Sequence, residues 1–320
     1  AGPKNSRQIK MWQTLWLRAK QWYGEFLKKL FRHSFLSWQR LGFHLTLNHY
    51  YEPVPDTSKL KEELWTTQSE LPGLDMKEEV QVELLSLFAA RFKAEYDAFP
   101  VEKTDEAHRF YLNNGVFPSV DAEILYCMIR HLKPRYIMEI GSGSSTCLSA
   151  QAVLKNRDED SDVTCELIAI EPYPNEVLKR GFPGLSRLIQ RQAQEVPLEE
   201  FQRLHDNDIL FIDSSHMLKI GSDVQYEYLE LLPRLQKGVV VHIHDIHFPM
   251  EYPKAVVTRK HRFWNEQYLF QAFLAFNSSF HVLWGGNFMH VRHPDALASA
   301  FQSYDPAGRW PSSLWIRRVA

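Results

Sequence analysis

Four short apolar runs, each with an acid at or near its end, dominate the pattern of the chain: Tyr136-Ile137-Met138-Glu139-Ile140, Glu166-Leu167-Ile168-Ala169-Ile170-Glu171, Asp208-Ile209-Leu210-Phe211-Ile212-Asp213 and Val239-Val240-Val241-His242-Ile243-His244-Asp245. Their apolar residues run on without alternating with polar ones, as strands covered on both faces do. Between them the apolar spacing turns helical, and a shorter third strand precedes Arg191. Helices are expected from Ser119 to His131, after Ser144, and from Trp264 to Phe276. The spacing also predicts helices over Lys59–Trp65 and Lys77–Tyr96, separated by Leu71-Pro72-Gly73. Phe280–Trp284 and Phe288–Val291 read as a closing hairpin around Gly285-Gly286-Asn287. The organisation expected is a helical extension over residues 1–100 and an α/β domain over 101–320.

The first strand breaks into Gly141-Ser142-Gly143-Ser144-Ser145-Thr146. Glycines let the backbone turn sharply and approach a ligand, and the hydroxyls can cap the following helix, so this reads as a nucleotide-ligand cradle. It is no P-loop, since no Gly-Lys-Ser/Thr closes it, and Thr146 stands at the third glycine position of a dinucleotide fingerprint. Glu171 ends the second strand at the distance where a βαβ unit delivers an acid to a ribose diol. Acids at Glu139, Glu171, Asp213 and Asp245 should converge on one crevice, because ligands of open α/β sheets sit outside the carboxyl ends of the strands.

With these residues the chain resembles the class I S-adenosylmethionine-dependent methyltransferases over roughly residues 116–291. Glu139-Ile140-Gly141-Ser142-Gly143 is similar to that family's first motif, Glu171 to its ribose acid, Gln192-Ala193 to its adenine-side position, and Phe211-Ile212-Asp213-Ser214-Ser215-His216 to its fourth strand and active-site turn. Within the class the likeness is to small-molecule O-methyltransferases whose fifth strand ends in His-Asp. The resemblance implies a Rossmann-like sheet, mostly parallel with a final antiparallel hairpin, behind the helical extension. It also implies S-adenosylmethionine as cofactor, with Glu139 holding its amino-acid part, Gly141, Gly143 and Ser144 lining the methionine side, and Glu171 on both ribose hydroxyls. Gln192 or Gln194 would bond the adenine edge, and Asp213 would serve both cofactor binding and catalysis.

For catalysis, His216 is the expected base: its turn faces the transferred methyl, and an imidazole near its ordinary pKa accepts a proton at neutral pH. It stands where catechol-type relatives carry lysine three residues after the metal-binding acid. His244 and Asp245 are placed to orient the nucleophile, the histidine as a second base. Those relatives supply Asp-Asn to magnesium from the fifth strand, whereas this chain has Asp245-Ile246, so metal independence is the expectation. A rival reading is a metalloenzyme using His216, His242, His244 and Asp245, with Asp213 and His247 nearby. Tyr111 and Asn113 are candidates for lid or substrate contacts. The connection after the fifth strand, with Lys254, Arg259, Lys260, His261 and Arg262, is either a solvated loop or a clamp for an anionic acceptor.

Composition narrows the partners. At 320 residues, with 44% hydrophobic and 24% charged residues, the chain has core enough to fold without staples. A net charge of −2 and no basic stripe over the catalytic part argue against nucleic acid. Cys127, Cys147 and Cys165 have no metal spacing and read as buried thiols of a reducing compartment. Nothing reads as a signal peptide or membrane span, Ala1-Gly2-Pro3 reads as a processing scar, and cytoplasmic placement is the default. From Lys4 to Arg40 nine basic residues face one acid, Glu25, while Trp12, Trp16, Ala19, Tyr23, Phe26 and Leu30 recur at helical spacing. Such a helix either packs on its own domain or a dimer mate, or lies on an anionic membrane surface. A non-catalytic, membrane-recruited binding module is accordingly a second rival. The acceptor expected is a small molecule or glycan.

Overall fold

The computed structural model describes residues 16, 18, 22–24, 26, 27, 29–31 and 33–320. Trp12 and Ala19 of the expected amino-terminal apolar face lie outside them. The chain divides into two compact units, Ala1–Lys61 and Glu62–Ala320. In the first, residues 33–40 are helical, Trp22 and Phe26 stack at 5.9 Å, and Trp22, Tyr23, Phe26 and Leu30 are exposed.

The second unit is built on a seven-stranded sheet in the order β3-β2-β1-β4-β5-β7-β6. Strands β1 (Tyr136–Ile140), β2 (Glu166–Ile170), β3 (Arg187–Ile189), β4 (Ile209–Ile212) and β5 (Val240–Ile243) are parallel neighbours. Their unbroken apolar runs follow from this, because helices cover both faces and leave no solvated side to encode. The order reverses between β1 and β4, the switch point outside which ligands of open α/β sheets bind. Helix α1 (Glu78–Tyr96) buries Leu85, Phe88 and Phe92, α2 (Asp121–Leu132) feeds β1, and α3 (Ser144–Glu159) follows the glycine loop. This is the Rossmann-like sheet expected.

Three expectations are corrected in detail. The segment expected as the second hairpin strand is a helix, Gly286–Arg292, in which adjacent Phe288 and Met289 are both buried, a pattern a strand facing core and solvent alternately does not give. The antiparallel partner of β6 (Phe280–Gly285) is instead β7 (Leu314–Arg318), which lies between β5 and β6. Leu314, Trp315 and Ile316 are fully buried there, inside the α/β domain expected over 101–320 and beyond the stretch, 116–291, that carries the family resemblance. The helix expected over Lys59–Trp65 is two 3₁₀ turns, Thr57–Lys59 and Glu62–Trp65. The boundary placed at residue 100 falls inside the second unit. There α1 is tied in by Gln81, whose side-chain oxygen accepts from Gly285 N (2.8 Å), and by Tyr96, whose hydroxyl donates to Ala300 O (3.0 Å).

Candidate active site

Two cavities meet at the end of β4. The smaller, about 400 Å³, is walled by Gly141, Glu171, Gln192, Ala193 and Gln194, and the larger, about 1000 Å³, by His216, His244, Asp245, Trp264 and Arg309. Asp213, Ser214 and Ser215 line both. A group passing from one cavity to the other must cross this turn.

The smaller side is shaped mainly by backbone. Gly141 has φ +77°, and a Cβ on it would lie 1.8 Å from the Asp213 carbonyl oxygen, so the loops after β1 and β4 touch only because this residue is glycine. The backbone N–H groups of Ser142 (3.2 Å) and Tyr173 (2.8 Å) donate to Glu171, one to each oxygen. A carboxylate offers about four acceptor sites, so capacity for a diol remains on the cavity side. Gln194 donates to Gln192 Oε1 (2.7 Å), and its own Oε1 is buried without a partner. Glu139 differs from its expected role. It is fully buried under the loop, where Oε1 accepts from Ser145 and Thr146 while Oε2 has no partner. Burial, opposed by those two hydrogen bonds, pushes it up to about 8. Its work is to hold the glycine loop. Gly143 donates to Thr146 Oγ1 (2.9 Å), and the direction of its missing Cβ is open space. Ser144 is the first residue of α3 and, like Gly143, lies outside the wall described above.

The larger side is shaped by charged side chains. His216 and Asp245, both at strand ends, have φ of +58° and +55°, a conformation that costs free energy in residues other than glycine and persists where neighbours enforce it. His216 Nδ1 is 2.8 Å from Glu266 Oε2, and Nε2 is 3.2 Å from Asp213 Oδ1 and 3.6 Å from Asp245 Oδ2. Burial opposes its charge, but the hydrogen bonds to Asp213 and Glu266 win and hold the imidazole well above its ordinary value. Its surroundings of three carboxyl groups favour the protonated imidazole. Asp245 shows the converse: burial favours its neutral form, yet His244 and His216 hold it at about 2. Ser312 Oγ donates to Asp245 Oδ1 (3.2 Å), and Asp121 accepts from Ser312 N and Ser313 N, so α2 helps set this wall.

The histidines separate by position. His242 is fully buried in the sheet, stacked on Phe211 at 4.0 Å and kept neutral by burial and by His244. His247 is likewise lowered by burial to about 4. His244 lines the larger cavity with both ring nitrogens free of hydrogen bonds, Nε2 lying 3.9 Å from Asp245 Oδ1. Among the described residues, Asp213, His216 and Asp245 have ligand atoms within 4.8 Å of one another, a set able to take a metal ion, and His242 is not in it. Tyr111 and Asn113 are not in the cavity wall, which takes Gly115 and Val116 from that loop; Asn113 instead donates to Glu102 (2.6 Å). Sequence reasoning missed Glu266, Trp264, Arg309 and Ser312. Only Glu266, an acid inside an apolar helical pattern, left a signal.

Residues 138–246 match the family described as Methyltransferase domain. The chain belongs to the class I S-adenosylmethionine-dependent methyltransferases. The match covers the strands that build both cavities, β1 to β5. An uncharacterized protein of Archaeoglobus fulgidus is 34% identical to this methyltransferase over 171 residues, half of this chain and 74% of the relative. Distant likenesses reach a methyltransferase of Geobacter sulfurreducens (15% identity, TM-score 0.34, 78% of this chain, all of that one) and CalS11, a TDP-rhamnose 3'-O-methyltransferase (11%, 0.39, 81% and 99%). An apo structure of CmcI is similar at 15% identity and TM-score 0.33, over 62% of this chain and 71% of that one. Likenesses this distant decide nothing about the acceptor. S-adenosylmethionine fits the residues of this methyltransferase: Glu171 has acceptor capacity left for a diol, and the orphaned Gln194 Oε1 lacks a donor of the kind an adenine amine presents. No helix among the described residues is long and apolar enough to cross a membrane.

Proposed function

We propose that this methyltransferase moves the methyl group to an oxygen of a small-molecule or glycan acceptor, with His244 as the proton-accepting base. The observation that carries the reading is the shared turn: Asp213, Ser214 and Ser215 wall both a nucleoside-sized cavity and a larger cleft, so donor and acceptor meet across three residues. When bound, S-adenosylmethionine supplies an electrophilic methyl on a sulfonium. Glu171 would hold the ribose hydroxyls, Gln194 with Gln192 and Ala193 the adenine edge, and the Gly141 backbone the methionine side. Glu139, Gly143 and Ser144 support that loop from behind. What remains for the protein is alignment of the acceptor oxygen and removal of its proton.

His216 was the base expected from sequence, but an imidazole already protonated cannot accept a proton. Its charge instead holds Asp213 and Asp245 together at the turn. His244 borders the cleft, its buried ring nitrogens have no hydrogen-bond partner, and the Asp245 carboxyl lies beside it, Nε2 to Oδ1 3.9 Å. Incubating the protein with a metabolite extract and methyl-labelled cofactor should give a labelled methyl ether. His244→Ala should lower turnover about a hundredfold while S-adenosylhomocysteine still binds. An N-methyl product, or undiminished turnover in His244→Ala, would overturn the assignment.

One observation favours a second reading, the convergence of Asp213, His216 and Asp245. A divalent cation there would supply Lewis-acid polarisation of the acceptor oxygen, its two carboxylates and one imidazole being a plausible donor set for manganese or iron. His216 Nε2 would then give up its proton to become a ligand. Metal analysis of untagged protein and turnover after chelation decide between the two. Full activity in metal-free protein removes the second.

A further inference from the structure

The larger cleft is electrically two-sided. Its inner end carries the half-buried Asp213 and Asp245, and its wall carries Glu251 and the exposed Lys254, Lys260, Arg262 and Arg309. Two of these cations are engaged: Lys254 pairs with Glu62 at 2.6 Å, and Arg309 donates to Gly115 O while lying 3.9 Å from Asp245. Lys260 and Arg262 have no carboxylate partner among the described residues, although the chain has more acids than Lys and Arg together. Nor is their loop loose, since Lys260 N donates to Ala255 O (3.0 Å) and Arg262 N to Val256 O (3.1 Å), with His261 at φ +51° between them. The Arg262 guanidinium lies over Trp264 at 5.3 Å, and the Trp264 ring lies 4.7 Å from His216. The Arg262 guanidinium therefore stands one indole away from the reaction turn, with Lys260 on the same cleft wall. Three half-buried tryptophans, Trp65, Trp264 and Trp310, line the same cleft and offer flat apolar faces.

We propose that the acceptor is a phosphorylated sugar whose phosphate is bound by Lys260 and Arg262 while a ring hydroxyl reaches the turn at Ser214 beside His244. The proposal rests on the oxygen-acceptor reading above and names its substrate class. Charge sets the orientation. At the turn Asp213 and Asp245 are already matched by His216 and Arg309, whereas Lys260 and Arg262 are unmatched and attract the phosphate, so the uncharged hydroxyl enters first. Charge count sets the class, because two unpaired cations match the nearly two negative charges of a phosphate monoester at neutral pH, where a carboxylate brings one. A guanidinium already ordered by stacking loses less freedom on binding an oxyanion than a free lysine does. The volume, about 1000 Å³, accommodates a sugar phosphate against the tryptophan faces.

The test is calorimetry on the full chain saturated with S-adenosylhomocysteine, titrated with glucose 6-phosphate, inorganic phosphate, glucuronate and glucose. Glucose 6-phosphate should bind most tightly, with inorganic phosphate measurable and glucose at least about tenfold weaker. The double variant Lys260→Ala/Arg262→Ala should weaken glucose 6-phosphate at least about tenfold and leave S-adenosylhomocysteine affinity unchanged, which also shows that the variant is folded. Equal binding of glucose and glucose 6-phosphate, or a double variant that binds like the parent, overturns the proposal. Glucuronate binding as tightly as glucose 6-phosphate overturns the assignment of phosphate. A sugar phosphate bound through Lys260 and Arg262 alongside methylation of nitrogen in the extract would sink the oxygen reading and leave this site standing.

Discussion

The two cavities that meet at Asp213 are built on different principles. The smaller is made by backbone: Gly141 pressed against the Asp213 carbonyl, and amides of Ser142 and Tyr173 aimed at Glu171. The larger is made by side chains from segments far apart in the chain, with Glu266 and Asp213 gripping His216, and Ser312 gripping Asp245. A site set by backbone suits a ligand shared by every member of a family, whereas a site set by side chains can be rebuilt without disturbing the sheet. Substitutions should accordingly divide into those that affect the cofactor alone and those that affect the acceptor alone.

The largest effect should come from Gly141→Val, which forces a branched side chain onto the Asp213 carbonyl and demands a positive φ that valine resists. It should abolish the thermal shift given by S-adenosylhomocysteine and destabilise the fold by several kcal/mol, roughly 3 or more, in chemical denaturation. Because this residue joins both loops, it is the one position where the division should fail. A folded variant with full cofactor affinity would show that the loops adapt. Glu171→Ala comes next and should affect the cofactor side only, lowering affinity about ten- to a hundredfold, roughly 1.5–3 kcal/mol, by calorimetry. Glu266→Gln is its mirror image. Removing the charge that helps hold His216 protonated should lower that imidazole's pKa and cut turnover roughly tenfold or more, with S-adenosylhomocysteine affinity unmoved. If cofactor affinity fell in step, the two sides would be one coupled site.

A further effect is on stability against pH. Burial raises Glu139 from an ordinary 4.5 to about 8 in the folded protein, so between those values the folded state binds the extra proton. Stability from this group is thus complete below pH 4.5 and is lost as pH rises through 8. Glu123, raised by burial to about 7, acts in the same direction. Glu139→Gln, which mimics the protonated carboxyl, should flatten the decline in stability between pH 5 and 8 in denaturation measured across that range. An unchanged slope would mean that the loop carboxyl is ionised throughout.

The same division explains what could be read from sequence. The parallel strands, the glycine loop and Glu171 were legible because their signals are local: an apolar run, a turn residue and a strand-end acid lie within a few positions of one another. The partner of β6 was not, because Phe288–Val291 lies close in sequence and looks apolar, while the true partner lies about thirty residues further on. His216 was found, but not its state. Its charge depends on Glu266, fifty residues away, and no local pattern reports such a contact. His242 and His244 were rightly placed on one face of β5, their rings 5.7 Å apart. Only the fold shows that one is packed in the sheet and the other faces the cleft.

The position of β7 also bears on how the protein is made. The strand that pairs with both β5 and β6 leaves the ribosome after the other six strands of the sheet, and the Ser312 and Ser313 amides that bind Asp121 emerge just before it. Until then the nascent chain holds two strands with unpaired edges and an acceptor wall missing its clasp, a state open to wrong pairing. Completion of the sheet and of the acceptor wall thus waits for β7, while the cofactor loops can form much earlier.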